Sequence, residues 1–332
     1  MKISKKVLSL LLVMLLALGL TACGGSNSGQ SSNSGEATPA SATPSSEESA
    51  GTTNTVTDEL GREVTIPEDP QKVLALTSAV MQALYNIGVE PVGKVEEYKV
   101  TEEGSALPSV GKTQEINIEA VYALNPDLII ASSRFHAALK EELEQSGAVV
   151  YYFDPDKVGE IPLVELTPYI GKLLGKEDVA DEYVQSVHAM ADELKERIST
   201  ETGIKTGIVI QDGDTVTAAQ SASSYGSMLS LLGIENIVPD DLPNAKKASF
   251  VSFDVETIIA SNPDVIYIMT ASKDAENNKA ILKKYKNDPQ WSSLDAVKNN
   301  RLLILPFSVN PNRSTPEDMV KATAEAILKS NK

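Results

Sequence analysis

The sequence predicts an α/β protein of two Rossmann-like lobes with parallel-rich central sheets, joined by a single long α-helix. Three observations lead there. Apolar residues Val179, Tyr183, Val187, Met190, Ala191, Leu194 and Ile198 recur in steps of three and four, which draws one stripe along a helix over about 177–200. At about 1.5 Å per residue that helix spans roughly 33 Å, the width of a small domain, so it can serve as a strut. Segments 118–130 and 255–267 each read as a short helix, an Asn-Pro-Asp stop and a buried strand. The proline forces its predecessor out of the α region, and the apolar run behind it is too short for another helix. Helices ending at Ile87-Gly88-Val89 and Leu232-Gly233-Ile234 stand in the same order on either side of the strut. Matching order on both sides means a duplicated α/β lobe.

At the start, Lys2, Lys5 and Lys6 precede an apolar run over 7–20 that ends in Thr21-Ala22-Cys23-Gly24. The run is shorter than the roughly 18 to 20 residues of a spanning helix and ends in small residues, as an export signal does. Leu20-Thr21-Ala22-Cys23 resembles a bacterial lipobox, which makes Cys23 the expected lipidated residue. Cys23 is the single cysteine in the chain, so disulfides and thiolate metal cages are excluded. Residues 24–54 hold almost only Gly, Ser, Thr, Asn, Ala, Pro and Glu. Such a segment has nothing to bury and is expected to be a disordered tether, with a reach of roughly 30 Å. The expected organisation is a signal peptide over 1–22, a lipidated tether over 23–54, an N-terminal lobe over 55–160, a connecting helical segment over 161–202 and a C-terminal lobe over 203–332.

In the first lobe a hairpin over 56–66 is followed by strand 73–76, helix 78–86, strand 92–95 and a loop carrying Tyr98. Strand 128–131 then delivers Ser132, Ser133, Arg134, Phe135 and His136 ahead of helix 137–145 and strand 149–153. Pro162 and Pro168 are expected to break up the approach to the strut. The second lobe repeats the order with strand 206–210, a polar stretch to Tyr225, helix 226–232, the second Asn-Pro-Asp unit and helix 278–286. A short helix at 294–297, strand 302–305, a loop to Arg313 and a final helix over 316–328 complete it. Ligands of open parallel sheets lie beyond the strand carboxyl ends, so the expected cleft is edged by 132–136.

The formal net charge is −17, which makes nucleic acid an implausible partner and opposes anions at long range. Enzyme signatures fail. Gly111-Lys112-Thr113 echoes a phosphate loop, but Ala106 stands where its first glycine is required. Two histidines, His136 and His188, cannot make a three-histidine metal site, and no resident cofactor is expected.

From Leu60 onward the chain resembles the iron-chelate and vitamin B12 class of bacterial ABC-importer substrate-binding lipoproteins. The matching pieces are Leu60-Gly61-Arg62-Glu63-Val64-Thr65-Ile66-Pro67, Gln71-Lys72-Val73, both Asn-Pro-Asp units, Pro289-Gln290-Trp291 and Ala296-Val297-Lys298-Asn299-Asn300-Arg301. Asn300 departs from the family's usual glycine, and Pro168 is a second departure. The resemblance implies a class III periplasmic-binding-protein fold and no catalysis. It also implies a monomeric receptor, extracytoplasmic and anchored to the cell membrane, that captures a metal chelate and delivers it to an ABC permease dimer. A ferric siderophore is the first expectation for the ligand, and haem or cobalamin the alternatives.

Arg134 is the leading ligand residue, because family members that carry ferric catecholates place an arginine after the same strand and a guanidinium forks well onto chelate oxygens. The competing account pairs it with Glu141 or Glu142 on the surface. Phe135 and His136 share the location; Phe135 is equally suited to the lobe core, and His136 reads as an iron or haem ligand or as a solvated loop residue. Tyr98, Tyr225 and Arg313 stand on loops at the corresponding edges. Glu119 and Glu256 are of another kind. Each opens the helix of one repeat unit, and in the resembling family such glutamates dock into arginines of the two permease subunits. Acids also favour helix N-termini for local electrostatic reasons, by roughly 0.3 to 1 kcal/mol.

Overall fold

A computed structural model describes residues 54–159, 161–213, 215–242 and 248–331. The expected signal peptide, Cys23 and the tether up to residue 53 lie outside the described residues. The first half opens with antiparallel β1 (Asn54–Thr57) and β2 (Glu63–Ile66). Next come β3 (Val73–Ala75), α1 (Ser78–Asn86) and α2 (Glu102–Ala106), then the small hairpin of β4 (Gly111–Lys112) and β5 (Glu115–Ile116). After α3 (Ile118–Leu124) follow β6 (Leu128–Ser132), α4 (Ser133–His136), α5 (Lys140–Glu144) and β7 (Val149–Phe153). Strands β3, β6 and β7 form one parallel sheet with β6 in the middle. The strand expected over 92–95 is a single parallel bridge from Lys94 to Ser109, too short a pairing to make a ladder. Arg62, in the first matching motif, ties the opening hairpin down. Its guanidinium meets the buried Asp58, donates to the Val150 carbonyl at 2.8 Å and sits 5.1 Å from the Tyr152 ring centre.

Two helices join the halves. The approach holding Pro162 and Pro168 is not broken up but forms α6 (Pro162–Leu173), with Pro162 in its first turn, where no intrahelical donor is needed. Pro168 lies inside this helix, and tertiary packing overrides its propensity: Val164 joins the second half's core while Leu166 and Ile170 join the first's. The long helix, α7 (Glu177–Thr202), spans 26 residues and ends on Gly203 at φ 68°, a left-handed cap that glycine adopts without strain. Ala180 of α7 packs in the first core, and Val187, Ala191 and Ile198 pack in the second. Val179, expected on the apolar stripe, is exposed, because Ala180 takes the inward position one step on.

The second half runs through β8 (Thr206–Gln211), β9 (Thr217–Ala219), α8 (Ser224–Leu231), β10 (Glu235–Asn236) and β11 (Phe250–Ser252). It continues with α9 (Val255–Ser261), β12 (Val265–Met269), α10 (Ala275–Asn287), α11 (Asp295–Lys298), β13 (Leu302–Leu305) and α12 (Pro316–Ser330). Its sheet has the order β11-β9-β8-β12-β13, with β10 also on β8. The core strands β8, β12 and β13 are parallel, whereas β9 and β11 turn antiparallel at one edge. Period-two alternation sends Val209, Val265 and Tyr267 toward α7, α8 and α12, and sends Ile208, Ile210, Ile266 and Ile268 toward Ile258, Tyr285 and Trp291. Trp291 lies edge-on to Tyr285 at 4.8 Å, away from the expected cleft.

The duplication is visible at atomic level. Asn117 caps α3 and Asp254 caps α9. Each helix ends on an asparagine in the left-handed region, Asn125 at φ 47° and Asn262 at φ 44°, a conformation asparagine tolerates better than most residues. Asn300, the departure from glycine in the resembling family, likewise sits at φ 58°.

Candidate functional site

The carboxyl ends of β6 and β7 and the N-termini of α1 and α8 border one cavity of ≈ 340 Å³ between the two halves. From the first half come Thr77, Ala79, Ser132, Arg134, Phe135 and Phe153, with Asp156 and Gly159 on the segment after β7. Pro162 and Leu166 of α6 supply an apolar wall, and the second half contributes Gln220, Ser223, Ser224, Asp240 and Ser249. Both helix starts are built from capping hydroxyls. Thr77 Oγ1 accepts from Val80 N at 3.3 Å, and Ser223 Oγ from Gly226 N at 3.1 Å, which leaves the amides ahead of those donors directed out of the helices. Gly226 permits the tight entry into α8, since a Cβ there would fall 2.0 Å from the Gln220 carbonyl oxygen.

Among the described lining residues the ionised groups stand at the rim and the uncharged polar ones inside. Arg134 and Asp156 are exposed and paired with each other, and Asp240 is exposed. Thr77, Ser132, Gln220 and Ser223 are buried. The Arg134 guanidinium also lies 5.9 Å from the Phe135 ring centre, and Phe135 keeps 38% of its surface exposed. The ion pair of Arg134 is made with Asp156, not with Glu141 or Glu142 as the surface account expects.

Arg134 and Phe135 are therefore brought together on the cavity, and the other expected ligand residues are not. His136 is fully buried. Its Nδ1 accepts from Ser132 N at 2.9 Å and its Nε2 faces the Thr113 carbonyl at 2.7 Å, so it holds the Ser132 turn and offers no nitrogen to a ligand. Burial lowers its pKa, with the Thr113 hydrogen bond opposing in part. Tyr98 is also fully buried, donating to Gln82 Oε1 at 3.0 Å beside Tyr85, and burial pushes its pKa up to about 12. Tyr225 is not on a loop: it lies in the first turn of α8 and packs 5.3 Å from Phe250, with a pKa raised to about 12 by burial. Arg313 stacks on Phe307 at 4.8 Å and does not line the cavity. The sequence reading missed Asp156 and the 220–224 turn. The rule that ligands lie beyond strand carboxyl ends, applied to β7 as it was to β6, points to Asp156.

Glu119 and Glu256 are exposed in the first turns of α3 and α9 and are absent from the cavity lining. Among the described residues no three His, Cys, Asp or Glu side chains gather as a metal site, and no helix is long and apolar enough to cross a membrane.

Two α/β halves, each with parallel strands at the centre of its sheet, and a donor-lined cavity between them define a two-lobed solute-binding protein. The chain matches the family model described as periplasmic binding protein over residues 73–309, and it belongs to that family. It is similar to the Fe(3+)-citrate-binding protein YfmC of Bacillus subtilis, 26% identical over 256 residues that cover 75% of this chain and 77% of that protein. The probable siderophore-binding lipoprotein YfiY of the same organism is 26% identical over 297 residues, 86% of this chain and 87% of that one. Among solved structures, the FhuD protein from S. pseudintermedius superposes with a TM-score of 0.67 at 20% identity, covering 84% of this chain and 99% of that one. At that identity the likeness is one of fold.

Proposed function

We propose that this protein is a lipid-anchored extracytoplasmic receptor that captures a ferric chelate in the cavity between its halves and delivers it to an ABC permease, with no chemical change to the ligand. The observation that carries the reading is the placement of Arg134 and Phe135 on a cavity lined by hydroxyls, an amide and two helix starts. Those donors suit an oxygen-rich chelate, and Phe135 with Leu166 suits its organic shell. The relatives named for ferric citrate and siderophore binding support iron as the cargo. Cys23 is the proposed lipid attachment. Glu119 and Glu256, one on each half and both outside the cavity, are the proposed contacts to the two permease subunits.

Import into vesicles that carry the cognate permease and ATPase tests the proposal. Iron from a ferric chelate should enter only when this protein is added. Entry at the same rate without it would remove the delivery role.

A further inference from the structure

Helix α10 is charged oppositely to the chain that carries it. Residues 273–286 hold five lysines and two acids, in a chain whose formal net charge is −17. The helix buries Ile281 and Tyr285 against the second sheet, in the same cluster as Ile258 of α9. At about 100° per residue, Lys279, Lys283 and Lys286 fall together on the opposite side, and all three are exposed. Local acids do not use up this charge. Lys279 Nζ meets Glu276 Oε1 at 2.7 Å and Lys284 Nζ meets Asp212 Oδ1 at 3.1 Å. Among the described residues Lys273, Lys283 and Lys286 stand in no ion pair. At the start of the helix the strip continues onto the half-buried Phe307, whose ring centre lies 4.8 Å from Lys273 Nζ and 4.8 Å from the Arg313 guanidinium. Lys273 and Arg313 come from the loops behind β12 and β13, so the fold and not the sequence brings them together. None of these residues lines the cavity between the halves.

Resting on the reading of a receptor lipid-anchored at Cys23, we propose that this strip is a second membrane contact, its cations lying on anionic phospholipid headgroups. The arrangement fits an extended anionic surface better than a small anion. The lysines stand on the convex side of a helix about 20 Å long, on flexible stems, where a sheet of phosphates meets them without a fixed geometry. A small anion needs a concave nest of donors, and an outward helix face offers none. An aromatic ring between two cations suits the boundary between headgroups and acyl chains. The rest of the chain is strongly acidic and is repelled by the same surface, so the strip sets which side of the body faces the membrane. Helix α9, which opens with Glu256, packs on the same side of the second sheet as α10. A strip lying on lipid therefore orients the half that carries one of the proposed permease contacts.

The test places the lipidated protein on vesicles of phosphatidylcholine alone or with about 30 mol% phosphatidylglycerol. Flotation with the neutral vesicles reads the lipid anchor by itself, and lysine acetylation followed by mass spectrometry reads the strip. Acetylation at Lys273, Lys279, Lys283 and Lys286 should slow about threefold or more on the anionic vesicles relative to the neutral ones, and recover in about 0.5 M salt. Lys195, on α7 across the second sheet, should stay within about 1.5-fold. Lys279→Gln, Lys283→Gln and Lys286→Gln together should remove the slowing at Lys273, whereas Arg at the same three positions should keep it. Equal rates on the two vesicles, or slowing that survives the Gln variant, overturns the membrane contact. Slowing that appears only when the permease is added also overturns it and assigns the strip to a protein partner. Failure to float with neutral vesicles removes the Cys23 anchor, and slowing on anionic vesicles in that case still supports the strip.

Discussion

Asp264 holds the second half of the molecule in the same way that Asp127 holds the first. Asp127 Oδ2 accepts from Gln71 N at 2.7 Å and Lys72 N at 3.0 Å, and Asp264 Oδ2 accepts from Lys205 N at 2.8 Å and Thr206 N at 3.0 Å. Each carboxylate closes an Asn-Pro-Asp unit and pins the amides leading into the neighbouring parallel strand. Replacing either Asp127 or Asp264 by Ala should lower stability by about 1 to 2 kcal/mol, the loss of charge-assisted bonds at half-buried sites. Urea unfolding checks this, and the two variants should shift the midpoint by similar amounts.

The same repeat fixes where Glu119 and Glu256 sit, because each opens the helix that its unit's aspartate anchors. Changing both to Arg should abolish import into permease vesicles, since like charges would then meet at two contacts at a cost of several kcal/mol. Chelate affinity should stay the same, because neither residue lines the cavity. Import by the double variant at the wild-type rate would return both glutamates to the role of helix-start acids.

His136 makes stability pH-dependent. The folded protein holds its ring neutral between Ser132 N and the Thr113 carbonyl, and burial lowers its pKa below the ordinary 6.5. As pH falls below about 6.5 the unfolded chain takes up a proton that the folded chain resists, so this contribution is complete above 6.5 and is lost on acidification. Thermal melts between about pH 8 and pH 5 should show Tm falling over that window, and His136→Gln should flatten this limb.

Cys23→Ser should leave a protein that partitions into the aqueous phase of a detergent split, whereas the unsubstituted chain follows the detergent. Unchanged detergent partitioning would remove lipid attachment at Cys23.

The architecture was legible because it is written in periodicity and stops. The apolar stripe of α7, the two Asn-Pro-Asp units and the apolar strand runs all report local rules, and the strands at 149–153 and 302–305 fall where those rules put them. The site was less legible because it depends on side-chain direction. Arg134 and Phe135 follow β6 and reach the cavity; His136, one residue on, turns inward because the Ser132 amide and the Thr113 carbonyl offer it two bonds. Tyr225 stands just ahead of the helix the sequence predicts over 226–232, but the cap is Ser223 and the tyrosine falls inside the first turn. Pro168 looked like a breaker, and burial on both sides of α6 outweighs its lost hydrogen bond. Asp156 carried no motif at all. Its importance comes from contact with Arg134, across 22 residues of chain.

The central claim is that this cavity binds a ferric chelate through Arg134. Calorimetric titration of the wild type and Arg134→Ala with a panel of ferric siderophores, ferric citrate, haem and cobalamin tests it most directly. At least one ferric chelate should bind the wild type at one per chain, and Arg134→Ala should weaken that binding by about 1.5 to 3 kcal/mol while the melting curve stays in place. No heat with any ferric chelate, or an affinity for it within about twofold of wild type in Arg134→Ala, would contradict the account.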